Sequence, residues 1–444
     1  MNISEAGSRL DRLPVTALHL LAMALCAFGF AFDMLELALG GILAAVFSAP
    51  PHAIPPSQLS LLLASVYIGA AIGAPALGWV ADRHGRRSTL MGLLLWLALA
   101  SFAGAASETT SGLTLSRVLG GLAMGAYPPI VIAYLTDLLP PARRGMLIFV
   151  VVAFATLGPP AGIFLVRFLT PLQPLGIEAW RWGFVVGGMG TAVVGALFWF
   201  LPESPRWLQA RGRFAQADAT CRAFEHSRVV LGLKPLRTNQ PVLSNADAAL
   251  ANAMSDPGQR GLAIIAAIFL LSPWATVAFP LLTGAVLTQK GFKLADTLLV
   301  LGLSWFGPLL GTLLASVSID RLERRAALCL CAAAMTIAGA CFVAGTSPSW
   351  LLAASVTFSL FASLYVPTLT VYGAELFPTA ARARSVAAAW ALNRVGAAIA
   401  PFLLLPLLHA SGAIAMFSVI ALTLLGSVLL LVLAPRGRQR HSVI

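Results

Sequence analysis

The sequence predicts an all-α membrane protein with twelve transmembrane helices arranged as two six-helix pseudo-repeats. Three observations predict this fold: an apolar composition, twelve apolar runs, and a charge motif that returns at a fixed spacing. Hydrophobic residues make up 59% of the 444 residues, and charged residues only 10%. A soluble domain carries roughly a quarter charged residues. This chain has too few polar side chains to cover the outside of a soluble protein, so lipid must surround much of its apolar surface.

Twelve apolar runs are long enough to cross a bilayer, which takes about 20 residues. They fall near residues 15–47, 58–81, 88–106, 112–136, 146–169, 180–201, 260–287, 294–318, 326–345, 349–373, 385–408 and 411–434. The first run shows no early cleavage pattern, so it is expected to remain as an uncleaved span. We predict a first bundle at residues 1–202, a polar loop at 203–258 and a second bundle at 259–444.

The basic residues predict the orientation of these spans. With a cytoplasmic amino terminus, the inner segments hold 23 of the 29 lysines and arginines. The positive-inside rule then places both termini and the central loop in the cytoplasm. The net charge of +12 is explained by orientation and needs no nucleic-acid partner. Arginine outnumbers lysine by 26 to 3, which is typical of a GC-rich bacterial genome, and the predicted location is a bacterial inner membrane.

An internal repeat is visible in the charged turns. The segment Asp82–Arg87 (DRHGRR) returns as Asp320–Arg325 (DRLERR). The segment starting at Asp137 (DLLPPARR) returns from Glu375 as ELFPTAAR, at the same offset along the chain. Chance can place arginines in inner loops, but it does not place acid, proline and arginine at one common offset. The two halves are therefore predicted to be duplicates.

These residues resemble the major facilitator superfamily over the whole chain. Gly78–Arg87 (GWVADRHGRR) looks like its signature loop after span two, and Pro202–Leu208 (PESPRWL) looks like the sugar-porter branch. Phe32–Glu36 (FDMLE) is more similar to metabolite and aromatic-acid proton symporters, including nicotinate-type carriers. The resemblance implies alternating access, with a substrate bound near the membrane midplane between two parallel halves.

The same resemblance implies a gate of charged residues at the cytoplasmic ends of the spans. These gate residues are Gly78, Asp82, Arg83, Arg86, Arg87, Asp137, Arg143, Arg144, Glu203, Arg206, Asp320, Arg321, Arg324, Glu375 and Arg382. Gly78 is expected to let a neighbouring helix approach closely. Asp82 is expected to cap a helix amino terminus or to pair with arginine. The alternative is a solvated loop that only orients the chain. Glu323 replaces the turn glycine in the second copy, which weakens the prediction there.

Ionisable residues within the spans are functional candidates, because burying them in lipid is costly. Asp33 and Glu36 lie three residues apart and so share one face of span one. Two close carboxylates in a low dielectric resist ionising together, so one of them is expected to hold a proton. The alternative is that span one is overlong and leaves both acids among the headgroups. Arg117 in span four is expected to pair with these acids.

Arg394 is expected near the middle of span eleven, where a guanidinium can bind a carboxylate substrate with two hydrogen bonds. The alternative for Arg394 is an internal structural pair. Six further residues are candidates for lining the cavity, although lipid-facing or interface positions suit the aromatic ones equally well. They are Asn393, Tyr67, Tyr134, Trp274, Trp305 and Tyr365.

The leading functional hypothesis is proton-coupled uptake of a small organic anion, such as an aromatic or short-chain carboxylate. The alternative is efflux of a drug-like or cationic metabolite by proton antiport, since Gly158–Gly162 (GPPAG) partly resembles the signature of drug exporters and two acids in span one would also suit a cation. No metal spacing, phosphate loop or nucleophile motif appears, so an enzyme is not expected. We predict a monomer in the lipid bilayer that binds protons and one small molecule, with no metal and no cofactor.

Overall fold

The computed structural model describes residues 9–141, 144–231, 258–318, 323–376 and 382–434. Side chains are described within these ranges except at 231, 258–260, 316–318, 374–375 and 382–387. The first-half helices are Ala17–Val46, Pro56–His84, Arg86–Ala106, Thr110–Leu138, Arg144–Ala155, Gly158–Leu169, Ala179–Leu197, Pro205–Ala210 and Phe214–His226. The second-half helices are Gly258–Pro273, Phe279–Gln289, Leu294–Ser304, Phe306–Ser318, Arg324–Ala344, Pro348–Leu376 and Arg382–Leu433, with a π-helical turn at Trp274–Ala278.

Within the described residues, eleven helices are long and apolar enough to cross a membrane. The last of them contains Gly412, whose backbone angles of φ 81° and ψ 178° are not helical. Glycine adopts a positive φ at little steric cost, so the chain breaks there into two helices. The break lies next to the predicted boundary between the last two spans. The prediction of twelve spans is confirmed, and we number them one to twelve in chain order.

The helix bounds confirm the internal repeat. Span three covers Arg86–Ala106, and span nine covers Arg324–Ala344, which is the same segment displaced by the offset of the charged turns. Span four covers Thr110–Leu138, and Pro348–Leu376 is its copy at that same offset. The repeat therefore extends from the charged turns to the lengths of the membrane helices.

The two repeats enter their third helix differently. Gly85 precedes span three with φ 109° and ψ 152°, a conformation that favours glycine. Glu323 precedes span nine with φ −61° and ψ 127°, which any residue adopts. The loss of the turn glycine in the second copy is therefore accommodated by a different backbone path.

A cation closes the far end of the third helix in each repeat. Arg181 Nη1 donates to the carbonyls of Ala105 at 2.7 Å and Ser107 at 2.6 Å. Lys290 Nζ donates to the two corresponding carbonyls of the second repeat, those of Val343 and Gly345, at 2.6 Å each. Positive charge is favourable at a helix carboxyl terminus. In both halves a cation thus binds the carbonyl groups at the end of the third helix. The first half supplies it from the start of span six, and the second half from the end of span seven.

The chain divides into two compact units. One unit comprises residues 1–39 and 68–240, and the other comprises residues 40–67 and 241–444. The second unit therefore includes the end of span one and the start of span two; Ser60 Oγ, for example, donates to Pro401 O at 2.9 Å. The predicted boundaries after residues 202 and 258 follow the sequence repeat, whereas these two units are defined by contacts between residues. The predicted boundaries stay a prediction.

The segment before span one packs against the polar region after span six. Val15–Thr16 pairs with Val229–Leu231 as a two-stranded antiparallel ribbon. Arg9 donates to Asp218 Oδ1 at 2.5 Å and to both carboxylate oxygens of Glu225 at 2.8 and 2.9 Å. The Arg9 guanidinium lowers the pKa of the Asp218 and Glu225 carboxyls. We call this set of contacts the amino-terminal clamp.

We expect Arg9→Gln to release the amino-terminal clamp, because Glu225 then loses its ion-pair partner and Asp218 keeps only Arg222 of its own helix. Amide hydrogen exchange should rise several-fold at 15–19 and 214–226. Arg12→Gln, on an exposed side chain in the same segment, is the matched control and should leave exchange unchanged. Since the two carboxyl pKa values are depressed, wild-type protection should hold at neutral pH and fall only below about pH 4. Equal exchange in the Arg9 variant and the control would contradict the clamp.

Candidate functional site

A buried ion pair joins spans one and four. Arg117 Nη1 lies 3.5 Å from Glu36 Oε2 and donates to the Glu36 backbone carbonyl at 2.8 Å. Glu36 is 2% exposed and Arg117 is 4% exposed. The guanidinium also lies over the Phe184 ring of span six, 5.7 Å from its centroid. The structure thus brings together two of the predicted ionisable residues inside the first-half bundle.

Span three completes the surroundings of the Glu36 carboxylate. Ser101 Oγ donates to Glu36 Oε1, and it also lies 2.9 Å from the carbonyl of Leu97 in its own helix. On span six, a Cβ built at Gly187 would lie 2.6 Å from Glu36 Oε1. The missing side chain at Gly187 therefore leaves the space that the carboxylate occupies. Ser101 and Gly187 were not predicted as site residues; a lone hydroxyl in an apolar span was the available signal for Ser101.

Asp33 is buried one turn before Glu36 and is 1% exposed, so neither acid lies at a solvated headgroup position in the structure. Tyr127 of span four lies within electrostatic range of Asp33, and its hydroxyl fits against the backbone of Gly29. Both acids are thus buried within the first unit. Sharing of one proton between Asp33 and Glu36 stays a prediction.

Glu203 holds the start of span three. Its carboxylate accepts from the backbone N–H groups of Arg86 at 2.9 Å, Arg87 at 3.0 Å and Ser88 at 3.3 Å. A Cβ built at Gly85 would overlap Glu203 Oε2, so a side chain at this turn would displace the carboxylate. A carboxylate at a helix amino terminus is favourable because the first N–H groups have no partner within the helix. Glu203 therefore caps span three, while the predicted role of Asp82 as a cap or an arginine partner stays a prediction.

Further predicted gate residues form one connected cluster around Asp137. Arg86 Nη1 forms an ion pair with Asp137 Oδ2, and Ser204 Oγ donates to the same oxygen at 2.5 Å. Arg87 donates to the carbonyls at the end of span six, from Nε to Phe198 O at 3.0 Å and from Nη2 to Trp199 O at 2.6 Å. The cluster therefore ties the ends of spans three, four and six together.

The remaining first-half gate residues lie at the edge of this cluster. Arg206 Nη2 lies 2.6 Å from Asp11 Oδ1, and Arg144 Nη2 lies 3.4 Å from the same atom. Asp11 was not predicted, because nothing in its neighbourhood marks it as part of a motif. The side chains of Asp82 and Arg83 are exposed and line a cavity of about 320 Å³ with Trp79 and Arg211.

Gly78 does not have its predicted packing role. A Cβ built at Gly78 would meet no atom within 4 Å. The close approach of span two to span four occurs instead at Gly73, where a built Cβ would overlap the backbone carbonyl of Leu122. Gly69 makes a similar approach to the carbonyl of Val118. Small residues do bring the helices together, as expected in lipid, but the glycines that do so lie deeper in the span.

The second copy of the gate lies largely outside the described residues. Asp320 and Arg321 are not among them, and the side chains of Glu375 and Arg382 are not described either; Arg143 of the first copy also lies outside the described residues. Arg324 begins span nine and is half-buried. The function of the second gate copy stays a prediction.

In the second unit, Asn393 and Arg394 have different surroundings. Asn393 Nδ2 donates to Ser272 Oγ at 2.9 Å and to Phe269 O at 3.3 Å, so it ties span eleven to span seven. The Arg394 guanidinium is half-buried and lies over the Trp390 ring, 5.9 Å from its centroid. Trp390 in turn packs edge-on against Phe269, at 5.9 Å between ring centroids. Arg394 therefore has an aromatic support beside it.

The predicted aromatic candidates are dispersed. Tyr134 donates from its hydroxyl to Pro202 O at 2.6 Å, so its polar end joins the gate region. Tyr67 and Tyr365 are almost fully buried. Trp274 opens the π-helical turn of span seven, and Trp305 lies where span eight changes from one helix to the next; both are half-buried. Their roles in a cavity stay predictions.

Known proteins match this chain over nearly its full length. The family profile described as Major Facilitator Superfamily matches residues 20–401. The inner membrane metabolite transport protein YgcS of Escherichia coli is 28% identical over 91% of this chain and 88% of that protein. The gallate transporter of Pseudomonas putida is 26% identical over 87% of this chain and 85% of that protein. The niacin transporter NiaP of Acinetobacter baylyi is 23% identical over 98% and 99% of the two chains.

Solved structures show the same fold. The inward open structure of the xylose transporter XylE from E. coli has a TM-score of 0.73 to this chain, at 17% identity. The match covers 96% of this chain and 97% of XylE. Together with the membrane helices and the repeat, these matches confirm the predicted family and fold and show that the relatives are transporters rather than enzymes. The chain is an integral membrane transporter that belongs to the Major Facilitator Superfamily.

Proposed function

We propose that this transporter is a proton-coupled symporter that takes up a small organic anion, with Glu36 and Arg117 as its proton-coupling pair. The observation that carries the proposal is the buried contact between the two side chains, at 3.5 Å and with both nearly inaccessible to solvent. An ionisable pair buried inside a membrane bundle is costly and is a functional site by default.

The pair is suited to respond to a proton. While Glu36 is ionised, its charge compensates that of Arg117, and each side chain holds the other in place. A proton on Glu36 removes that compensation and leaves the guanidinium without the charge of this partner in a low-dielectric site. The protonated state therefore favours an arrangement in which Arg117 finds another anion or water. A carrier whose charged pair opens only when a proton arrives links proton movement to its conformational change.

An anionic substrate is supported by two further points. Arg394 offers a guanidinium beside the Trp390 ring, and an arginine next to an aromatic face suits a planar aromatic carboxylate. Two relatives that match most of the chain are named for gallate and niacin, both of which are aromatic carboxylates. We therefore propose aromatic carboxylates as the first compounds to test.

Uptake into proteoliposomes tests the proposed coupling. An inwardly directed proton gradient should drive accumulation of the substrate at least tenfold above its equilibrium level, and a protonophore should abolish that accumulation. The substrate is first chosen from a panel of aromatic and short-chain carboxylates by thermal shift of the purified protein. Uptake that ignores the imposed gradient would refute the coupling. Accumulation only in inverted vesicles would favour the antiport alternative.

We expect Arg394→Ala to weaken binding of the carboxylate identified in that panel by about ten- to a hundredfold. The estimate rests on about 1.5–3 kcal/mol for a hydrogen bond to a charged group. Calorimetric titration of the purified protein measures it. Lys293→Ala, which removes an exposed cation from the same unit, is the matched control and should bind as the wild type does. Unchanged affinity in the Arg394 variant would remove Arg394 from the substrate site.

A further inference from the structure

Ser101 contacts Glu36 from span three and is itself 2% exposed. We propose that Ser101 is a positioning residue that hydrogen-bonds Glu36 in both protonation states and thereby sets the pH range of coupled transport. The inference rests on the proposed function, since it assumes that Glu36 carries the coupled proton. It assigns a role to a side chain that no motif marks.

The hydroxyl of Ser101 has two acceptors within reach and only one proton to give. It contacts Glu36 Oε1, and it lies 2.9 Å from Leu97 O, the carbonyl one turn earlier in span three. A serine hydroxyl donates one hydrogen bond and can accept others, and it rotates to suit its partners. The geometry therefore supports two hydrogen-bonding arrangements without any movement of the helices.

Each arrangement matches one state of Glu36. When the carboxyl is ionised, Ser101 donates to Oε1 while Arg117 faces Oε2. When a proton from solvent binds the carboxyl, the Glu36 O–H donates to Ser101 Oγ, and the Ser101 proton turns to the Leu97 carbonyl. Rotation of a single hydroxyl thus keeps both the carboxyl and the serine hydrogen-bonded, which matters because an unsatisfied buried group costs free energy.

The neighbouring elements offer few other groups to do this. Among the described residues in contact with Glu36, Arg117 on span four is charged, and Asp33 lies one turn away on the same helix as Glu36. Span six presents Gly187 to the carboxylate, and span five presents Gly162 to the adjacent Leu35. Arg117 is a donor only, so it cannot accept the proton of a neutral carboxyl. Of these described contacts, Ser101 can both donate and accept.

The experiment compares the pH profile of gradient-driven uptake in four proteins: wild type, Ser101→Ala, Ser101→Thr and Ser65→Ala. Ser101→Ala removes the hydrogen bond in both protonation states, and because the bond to the ionised carboxylate is the stronger one, the pH of half-maximal uptake should move upward by about one unit. Ser101→Thr keeps the hydroxyl and should restore the wild-type profile. Ser65, buried and bonded to Leu62 O within its own helix at 2.7 Å, is the matched control and should not shift the profile.

Infrared difference spectra after a pH jump supply a readout that does not depend on transport. The carboxylic C=O band that disappears in Glu36→Gln should move in Ser101→Ala and return in Ser101→Thr. A proton-driven wild type whose Ser101→Ala profile and band are unchanged would overturn this inference and leave the proposed function intact. A wild type that ignores the pH gradient would overturn both.

Discussion

Glu36→Gln is expected to abolish gradient-driven accumulation, reducing it at least tenfold while exchange of substrate across the membrane continues. Glutamine has the same shape and still accepts hydrogen bonds, but it cannot take up and release a proton. The measurement is substrate accumulation in proteoliposomes under an imposed pH gradient, with counterflow measured in parallel. Because exchange needs alternating access but no net proton movement, it separates a coupling defect from a misfolded protein.

Asp33→Asn is the comparison that decides between the two acids of span one. If Glu36 alone carries the proton, the Asp33 variant retains accumulation and the Glu36 variant does not. Retained accumulation in Glu36→Gln, with loss in Asp33→Asn, would move the coupling site one turn along the helix.

The same substitution should be visible in stability. Removing one partner of a buried ion pair costs about 3–5 kcal/mol, because the other charge is left without compensation. We therefore expect Glu36→Gln to lower the thermal midpoint in detergent, and Glu36→Gln combined with Arg117→Gln to recover part of that loss. If the double variant shows only the sum of the two single losses, the contact between the pair contributes no coupling energy.

Gly187→Ala is expected to lower coupled uptake about tenfold or more. The added Cβ would lie 2.6 Å from Glu36 Oε1, so the carboxylate must move away from Ser101 or span six must shift. Overpacking a filled interior typically costs about 1–3 kcal/mol, so the variant should fold with reduced stability. Uptake under a pH gradient and the thermal midpoint measure the two consequences separately.

Gly92→Ala is the matched control for the glycine substitution. A Cβ built at Gly92 in span three would meet no atom within 4 Å. Alanine is also the better helix former by about 1 kcal/mol, so this variant should be as stable as the wild type or more so. If Gly187→Ala behaves like Gly92→Ala, the space beside Glu36 is not needed for transport.

Much of the first-half site was accessible from sequence, but the pattern of its contacts was not. The predicted pairing of Arg117 with an acid of span one is observed, and so is the grouping of Arg86 with Asp137. The helix cap came from Glu203 rather than from Asp82, although both acids stand in recognisable motifs. A motif shows which residues are unusual in a membrane protein. Which of two nearby acids caps a helix depends on which loop lies beside the end of that helix.

The glycines illustrate the same limit. Gly78 belongs to the signature loop, yet its surroundings in the structure are open, while Gly73 and Gly69 make the close helix contacts. All three lie in one span, and the sequence carries no mark of which face meets span four. Ser101 and Gly187 were not predicted for a related reason. The role of a single hydroxyl, or of a glycine, depends on which side chain of another helix lies against it.

The membrane fold, the number of spans, the duplication and the ionisable residues whose burial in lipid is costly can all be predicted from the sequence. These follow from composition and periodicity, because the bilayer imposes one length and one polarity on every span. Tertiary structure alone decided that the Glu36 carboxylate meets Arg117, and that Ser101 and Gly187 complete its site. Such choices depend on how four helices rotate and pack against one another, which no single segment specifies.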